Sequence, residues 1–379
     1  MGHNSLSAKR IPIRFGIVGL GYRSMKGVWL EEILPALEAE SDLFEVAALC
    51  DIDVGKRDAA MACVRSHCQN TPDLYASYEE MFREAKLDAV YLAVPNYLHA
   101  PVAIAALRAG VDVLCEKPVA TTLSDADAMA VEAESQDRIL GFFMQMHYRR
   151  RYHRVAELIR EGRIGEPVMV WCTEFRGPFP EWMGWIPEQE KSGGALVEKN
   201  CHHCDILDLW ADSRPVSVYA QGGQKKFFEL CGKKSEIIDH AWVNYDYVNG
   251  VKAMIGINFT QNHRHQREFG VAGTEGMVRF DLRDGEKLHL TNNQDDNEVI
   301  ECPGNLRGGV LVDFLRSVQT RMPPLVNFER GRSSLLVPLA AECSLREGRV
   351  VRVDEIDPRF QGNSSENSFD SKYQTAGLA

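Results

Sequence analysis

The chain has 379 residues, of which 45% are hydrophobic and 26% are charged, and its formal net charge at pH 7 is -11. This length favours two domains, and the composition is typical of a folded globular protein rather than a disordered or fibrous one. The negative net charge argues against nonspecific binding to nucleic acid or to anionic lipid surfaces.

Targeting signals and cysteine usage indicate a cytoplasmic protein. No apolar run reaches the roughly 18 residues that cross a bilayer, and residues 1–10 lack the apolar segment of a secretory signal. Ten scattered cysteines are typical of reduced thiols rather than of a disulfide framework. Cys201 and Cys204 form the one close pair, but no second ligand pair follows at zinc spacing, so we expect no metal site.

The first part of the chain alternates strand-like and helix-like segments. Strands are predicted at residues 14–20, 44–50, 89–94, 111–115 and 140–145, and helices at 29–40, 59–68, 78–85 and 101–109. Such alternation indicates a parallel sheet with crossover helices, which is the doubly wound Rossmann arrangement of α/β proteins. We assign this domain to residues 11–145, after a flexible start over residues 1–10.

From residue 146 onward, strand patterns dominate. A helix at 152–161 precedes predicted strands at 168–175, 216–221, 241–249, 251–260, 268–272, 276–281 and 287–291. Asn249-Gly250 is the strongest hairpin signal. We therefore expect an α+β domain over residues 146–360 with a large open, mainly antiparallel sheet, and a loose polar tail over residues 361–379.

A glycine-rich turn after the first predicted strand indicates a dinucleotide site. The first glycine permits a tight turn, the second lets a pyrophosphate approach the backbone, and the small serine allows helix and strand to pack. The alternative is an ordinary strand-to-helix turn. The predicted cofactor contacts in this turn are Gly19, Gly21, Tyr22, Arg23 and Ser24.

Asp51 directly follows the second predicted strand. In a Rossmann domain a carboxylate at this position accepts hydrogen bonds from the ribose hydroxyls of the cofactor. A carboxylate also repels a 2'-phosphate, so NAD is expected rather than NADP. The distance of Asp51 from Gly21 along the chain is longer than the usual spacing of about 20 residues, which implies an extended first helix.

The sequence Glu116-Lys117-Pro118 directly follows the predicted strand at 111–115. A lysine at the carboxyl end of a parallel strand projects into the crevice where such sheets bind ligands. The preceding strand ends in a segment that we expect to flank the nicotinamide. Further predicted cofactor contacts are Pro95, Asn96, His99, Glu116 and Lys117.

Three segments together resemble the signatures of the glucose-fructose oxidoreductase / inositol dehydrogenase / MocA family: residues 95–99, 106–110 and 116–118. The resemblance spans the first 145 residues and continues more loosely to about Val351. It implies an NAD-dependent oxidoreductase acting on a sugar, cyclitol or polyol. It also implies a homodimer or homotetramer formed through the open sheet of the second domain.

A second family signature is a Gly-Gly pair followed by Asp-x-Gly-x-His-x-x-Asp on a helix facing the nicotinamide. Here Glu198 stands at the first Asp, His202 at the catalytic His and Asp205 at the last Asp. Asn200 replaces the glycine, and Lys199 adds a charge. From their spacing alone, Glu198, His202 and Asp205 share one helix face.

Such a site would oxidise a carbinol, with Lys117 or His202 as the base that removes the hydroxyl proton. We expect His202 to take the proton, Lys117 to hold the reacting oxygen and share the relay, and Glu198 to orient both. Partial burial beside a cationic nicotinamide predicts a lowered pKa for Lys117. The alternatives are a surface lysine and a structural helix histidine.

Aromatic and cationic side chains complete the predicted substrate site. Rings in the loop at 176–187 can stack on sugar faces or simply pack the domains together. Cationic groups would suit an anionic substrate, although such runs are often solvated helix faces. The predicted substrate contacts are Lys117, Arg176, Trp182, Trp185, Lys199, His202 and His203, and the wider cationic set adds Arg149, Arg150, Arg151, Arg154, His263 and Arg264.

Three functions are compatible with these features. The first is a sugar or polyol dehydrogenase. The second is an NAD-dependent glycosidase that oxidises a hydroxyl transiently, eliminates the aglycone and returns the hydride. The third is a catalytically silent cofactor-binding protein on the same fold, which the presence of both Lys117 and His202 disfavours.

Overall fold

The computed structural model of the protein describes residues 12–40, 42–68, 70–261, 265–293 and 297–360. The predicted flexible start at 1–10 and loose tail at 361–379 lie outside the described residues, as do His263 and Arg264. No helix within the described ranges combines the length and the apolar character that a membrane span requires.

The first sheet has six parallel strands in the order β3-β2-β1-β4-β5-β6. The strands are β1 (Ile13–Val18), β2 (Phe44–Cys50), β3 (Asp73–Tyr75), β4 (Ala89–Leu92), β5 (Asp112–Cys115) and β6 (Leu140–Phe142). This order confirms the predicted Rossmann domain. The strand order reverses between β1 and β4, so the ligand crevice of this fold opens at their carboxyl ends. Strand β3 is short and polar and was not predicted.

Helices connect these strands. A wide π-helix over Arg23–Ile33 runs directly into α1 (Leu34–Ala39), and this continuous segment is the extended first helix that the position of Asp51 implies. Pro35 does not interrupt it, because Pro35 lies in the first turn of α1, where a missing N–H removes no hydrogen bond within α1. The other helices of this part are α2 (Val54–Arg65), α3 (Tyr78–Glu84), α4 (His99–Arg108) and α5 (Leu123–Ser135), with a 3-10 turn at Asn96–Leu98 before α4.

The second sheet has nine strands in the order β16-β15-β14-β13-β7-β12-β11-β8-β17. Every neighbouring pair is antiparallel except β7 with β12, so the sheet is mainly antiparallel as predicted. A turn at Asn249-Gly250 joins β11 to β12, which confirms the hairpin. The strands from β7 onward are β7 (Pro167–Phe175), β8 (Pro215–Gly223), β9 (Glu229–Leu230), β10 (Lys233–Lys234), β11 (His240–Tyr247), β12 (Lys252–Asn258), β13 (Gln266–Gly273), β14 (Gly276–Asp281), β15 (Lys287–Asn292), β16 (Asn297–Glu301) and β17 (Val351–Arg352), with β9 and β10 forming a separate small hairpin.

Two hydrophobic cores fill the molecule, and helices α6 and α9 contribute to both. The helices of this part are α6 (Gln145–Tyr148), α7 (Arg150–Arg160), α8 (Gln189–Ser192), α9 (Ala195–Ala211), α10 (Val310–Thr320), α11 (Phe328–Ser333), α12 (Leu336–Glu347) and α13 (Val353–Ile356), with 3-10 turns at Leu282–Asp284, Leu306–Gly308 and Pro358–Phe360. Val197 of α9 packs in the first core and Leu196 in the second. Phe314 of α10 packs in the first core, so the chain returns to the Rossmann sheet after the second sheet. Helix α9 is therefore held between the two sheets.

Candidate active site

The turn after β1 has the geometry of a pyrophosphate cradle. Gly19 has a φ of 87°, and a Cβ there would lie 2.4 Å from the Ala93 carbonyl oxygen, so only glycine fits. A Cβ on Gly21 would meet nothing within 4 Å, so the backbone there faces open space. The buried Ser24 hydroxyl donates to the Gly19 carbonyl oxygen at 2.6 Å and braces the turn. The residues therefore fit a dinucleotide.

Asp51 lies beside this turn at the end of β2. Its Oδ2 accepts a hydrogen bond from the Leu20 backbone N–H at 2.8 Å, and its Oδ1 accepts from the Asp53 N–H at 2.9 Å. Lys56 Nζ lies 3.9 Å from Oδ2. The carboxylate thus stands where the adenosine ribose of a dinucleotide would bind, and it also holds the turn in place.

Arg23 and the buried Glu116 form an ion pair at the carboxyl ends of the central strands. Arg23 Nε donates to Glu116 Oε1 at 2.6 Å, and the Tyr91 hydroxyl donates to the same oxygen at 2.8 Å. Burial alone would raise the pKa of Glu116, but Arg23 and Lys117 lower it. Among the described residues, Arg23 Nη2 is buried without a hydrogen-bond partner, so a donor remains for a ligand.

Lys117 and Glu198 join the Rossmann domain to α9. Lys117 Nζ donates to Glu198 Oε1 at 2.7 Å and to the Glu198 carbonyl oxygen at 2.8 Å. Asn96 Nδ2 donates to the other carboxylate oxygen of Glu198 at 2.8 Å. A Cβ on Gly194, just before α9, would come within 2.3 Å of a Glu342 oxygen, so glycine is needed for this close approach.

Burial lowers the pKa of Lys117, but the Glu198 carboxylate, together with Cys201 and Glu116, raises it above its ordinary value. Lys117 is therefore a charged hydrogen-bond donor at neutral pH. Two of its three donors are used by Glu198, which leaves one for another oxygen. The lowering of its pKa expected beside a cationic nicotinamide stays a prediction.

His202 lies one turn after Glu198 on the same helix and is 6% exposed. Its Nδ1 is buried without a hydrogen-bond partner among the described residues. Burial and the positive charges of Lys117 and Lys199 hold the pKa of His202 well below its ordinary value. The imidazole is therefore neutral at neutral pH, with one unprotonated ring nitrogen.

On the helix-facing side of β7, Glu174 forms a second ionic centre, which the sequence analysis missed. Glu174 is fully buried. Its carboxylate oxygens lie 3.1 Å from Lys199 Nζ, 3.0 Å from His203 Nε2, 3.0 Å from His265 Nε2, 3.0 Å from Arg267 Nε and 3.6 Å from Arg176 Nη1. We call these five basic residues and Glu174 the Glu174 centre.

Burial and neighbouring charges shift the pKa values of the residues in the Glu174 centre. Burial would raise the pKa of Glu174, but Lys199 and its other basic neighbours hold it well below its ordinary value. Burial, with repulsion from Arg176, Arg267 and Lys117, lowers the pKa of Lys199 to about 8. Burial also lowers the pKa of His203 to about 4, so His203 is neutral at pH 7.

Asp205, the last acid of the helix signature, binds protein groups. His147 Nδ1 lies 2.8 Å from its Oδ2, and Arg330 Nη1 lies 3.4 Å from its Oδ1. Cys201 and Cys204 are buried free thiols on α9. Within the described residues, no group of three His, Cys, Asp or Glu side chains could hold a metal ion.

Several other predicted contacts have partners within the protein. His99 is buried, with its ring nitrogens 2.7 Å from the Pro118 oxygen and 3.0 Å from the Val94 oxygen, so it braces the turn that carries Lys117. His203 is turned toward Glu174. Trp182 stacks on Tyr22 at a centroid distance of 5.6 Å, with both rings exposed, and Trp185 packs against the second core.

The arginine run on α7 is separate from the Glu174 centre. Arg150 and Arg154 are paired with Glu157, and Arg154 also with Glu161. Arg149 lies 3.9 Å from a Glu31 oxygen, while Arg151 donates to the Gly285 carbonyl oxygen. The ion pairs of Arg150 and Arg154 are those of a solvated helix face, whereas Arg151 is buried against Tyr152 and Phe280.

One sequence signal could have located the Glu174 centre. In β7, alternate residues Val170, Cys172 and Glu174 are buried, so Glu174 occupies a core position of an alternating strand. In β13, Arg267 continues the buried alternation of Phe269 and Val271. Charged residues at such positions indicate paired, functional groups.

Comparison with protein-family models matches residues 13–143 to "Oxidoreductase family, NAD-binding Rossmann fold" and residues 152–279 to "GFO/IDH/MocA C-terminal domain". Myo-inositol 2-dehydrogenase of Thermotoga maritima is 26% identical over 288 residues, covering 74% of this chain and 84% of that protein. D-xylose 1-dehydrogenase [NADP(+)] of Haloarcula marismortui is 28% identical over 276 residues, covering 71% of this chain and 72% of that protein.

Solved structures share the whole fold. Aldose-aldose oxidoreductase from Caulobacter crescentus, complexed with glycerol, has a TM-score of 0.75 at 22% identity, covering 90% of this chain and 99% of that one. The WlbA dehydrogenase from Bordetella pertussis, in complex with NADH and UDP-GlcNAcA, has a TM-score of 0.74 at 23% identity, covering 91% and 98%. At these identities the likeness establishes the fold alone.

Proposed function

The chain belongs to the GFO/IDH/MocA family of NAD(P)-dependent oxidoreductases, and we propose that it transfers a hydride from a secondary hydroxyl of a sugar, cyclitol or sugar derivative to the nicotinamide of NAD. The observation that carries this proposal is the meeting of Lys117, Glu198 and His202 at the carboxyl end of β5. A bound nicotinamide supplies the hydride acceptor.

The proposed roles follow from charge and protonation. The charged Lys117 ammonium has one donor left for the substrate oxygen and stabilises negative charge that develops there. Neutral His202 accepts the hydroxyl proton through a ring nitrogen. Glu198 holds Lys117 in place and is itself held by Asn96. Lys117 is therefore the proposed electrophile and His202 the proposed base.

The glycine turn and Asp51 support NAD as the cofactor. The carboxylate of Asp51 would repel a 2'-phosphate, although Lys56, 3.9 Å away, offsets part of this repulsion. We propose that Gly19, Gly21, Arg23 and Ser24 hold the pyrophosphate side of the cofactor. The ten free thiols support a reducing, cytoplasmic compartment.

The open face of the second sheet supports self-association. Met169 and Trp242 are 51% and 46% exposed on this face. A cavity of about 300 Å³ beside Trp242 is lined by Phe175 and His240 and contains no residue of the proposed hydride site. We propose that this face forms the contact of a homodimer or homotetramer. Light scattering that reports a monomer at all concentrations would contradict it.

The test of the function is absorbance at 340 nm, measured with NAD and separately with NADP against a panel of sugars, cyclitols, sugar acids and aryl glycosides. We expect reduced cofactor to accumulate in step with oxidised product, and NAD to support a higher kcat/KM than NADP. Release of an aglycone without net cofactor reduction would replace the dehydrogenase with a glycosidase. Cofactor binding without any turnover would contradict the proposed enzyme activity.

A further inference from the structure

The Glu174 centre has more positive than negative charge. Among the described residues, Lys199, Arg176 and Arg267 share Glu174 as their one carboxylate partner within 4 Å. His203 adds no charge at neutral pH because its pKa is about 4. Three cations therefore face one carboxylate at neutral pH.

This surplus is shielded from solvent. The side chains of Arg267, Lys199 and Arg176 are 14%, 15% and 25% exposed. Repulsion between cations is screened less in a partly buried site than in water, and it adds to the effect of burial in lowering the pKa of Lys199. A negatively charged ligand group bound beside these three cations would reduce the repulsion between them.

The surplus charge lies beside the hydride site. Lys199 directly follows Glu198, the partner of Lys117, and His202 lies one turn further along α9. Lys117 lowers the pKa of Lys199, and Lys199 lowers that of His202, so the three groups are close enough to feel each other's charge. The cations can therefore reach a group on the same small molecule whose hydroxyl meets Lys117.

We propose that the substrate is an anionic sugar or polyol derivative whose carboxylate or phosphate binds Lys199, Arg176 and Arg267 while its hydroxyl lies between Lys117 and His202. This assignment rests on the proposed dehydrogenase function and narrows its substrate class. Arginine forks bind oxyanions with paired hydrogen bonds, which suits both groups.

The test measures binding separately from turnover. The chain saturated with NADH, which cannot accept a hydride, is titrated calorimetrically with glucose, glucuronate, gluconate and glucose 6-phosphate. We expect at least one of the three anions to bind tenfold or more tightly than glucose. The relative affinity of the carboxylates and the phosphate then identifies the oxyanion. If no anion binds more tightly than glucose, the proposal is overturned.

Charge variants locate the binding site. Lys199→Met keeps the side-chain length without the charge, and Arg176→Gln changes the most exposed of the three cations, so it remains informative if the first variant folds poorly. We expect the ratio of anion to glucose affinity to fall at least fivefold in either variant. Arg154→Gln on α7 is the matched control and should leave the ratio unchanged. Equal ratios in all three variants would overturn the assignment.

The two proposals can fail independently. Selective anion binding without reduction of NAD at 340 nm would retain the anion site and reject the dehydrogenase. Turnover of neutral sugars without any preference for anions would retain the dehydrogenase and reject the anion site.

Discussion

Two buried carboxylates, Glu198 on helix α9 and Glu174 on β7, differ in their charge balance. Glu198 faces one cation, Lys117 at 2.7 Å, and one neutral amide, Asn96 at 2.8 Å. Glu174 faces three cations and two histidines. The balanced pair keeps Lys117 charged and oriented, whereas the unbalanced centre has charge left over for a ligand. The difference in charge balance is what separates the proposed catalytic role of the first carboxylate from the proposed recognition role of the second.

The largest expected effect is on kcat and comes from removing Lys117 from its ion pair with Glu198. Lys117→Ala removes the donor that holds the substrate oxygen, so we expect kcat to fall about 1,000-fold or more. NAD affinity, measured by calorimetry, should stay within a few fold because the glycine turn is untouched. Asp51→Ala is the complementary variant and should weaken NAD binding instead. Nearly full activity in Lys117→Ala would contradict the proposed mechanism.

The second prediction compares how much folding stability is lost when each of the two carboxylates is replaced by an amide. Glu174→Gln leaves Lys199, Arg176 and Arg267 without a carboxylate partner, and losing one partner of a buried charge pair costs about 3–5 kcal/mol. Glu198→Gln leaves a single cation, which keeps its bond to the Glu198 backbone oxygen, so we expect a smaller loss. Urea denaturation of both variants measures the difference. A Glu198→Gln loss as large as that of Glu174→Gln would contradict the unequal charge balance.

The smallest predicted effect is a pH dependence of substrate affinity. The pKa of Lys199 is about 8, so its charge is present below pH 8 and is lost as the pH rises through that value. The ionisable groups around Lys199 and its partner Glu174 are Lys117, Cys172, Arg176, Cys201, His202, His203, His265 and Arg267. One pH unit above the pKa, about a tenth of the Lys199 side chains remain protonated. KM for an anionic substrate should therefore rise up to about tenfold by pH 9.

The matched comparison uses a neutral substrate and Lys199→Met. Initial rates between pH 7 and pH 9 should show a flatter KM profile for the neutral sugar, and the variant should lose the additional rise with the anion. An identical profile in wild type and Lys199→Met would show that another group is responsible.

Local patterns were sufficient to predict the fold and half of the site. Alternation of strands and helices predicts the Rossmann domain, because each periodicity is a property of consecutive residues. The Gly-x-Gly turn, Lys117 and the helix spacing of Glu198 and His202 are local as well. The pKa of Lys117 does not follow from neighbouring residues in the sequence. Glu198, which is 81 positions away, raises it against the effect of burial.

The basic residues show most clearly the difference between what local sequence predicts and what depends on tertiary contacts. The arginines at 149–151 and 154 are conspicuous along the chain, but Arg150 and Arg154 are paired with Glu157 and Glu161 on the same helix. The Glu174 centre takes its members from β7, α9, β13 and the segments at their ends. Sequence alone determined the fold class and predicted the glycine turn and the proposed hydride residues, because each depends on short-range spacing. Only the tertiary structure decided which charges are cancelled and which remain, because charge balance depends on residues that meet through space.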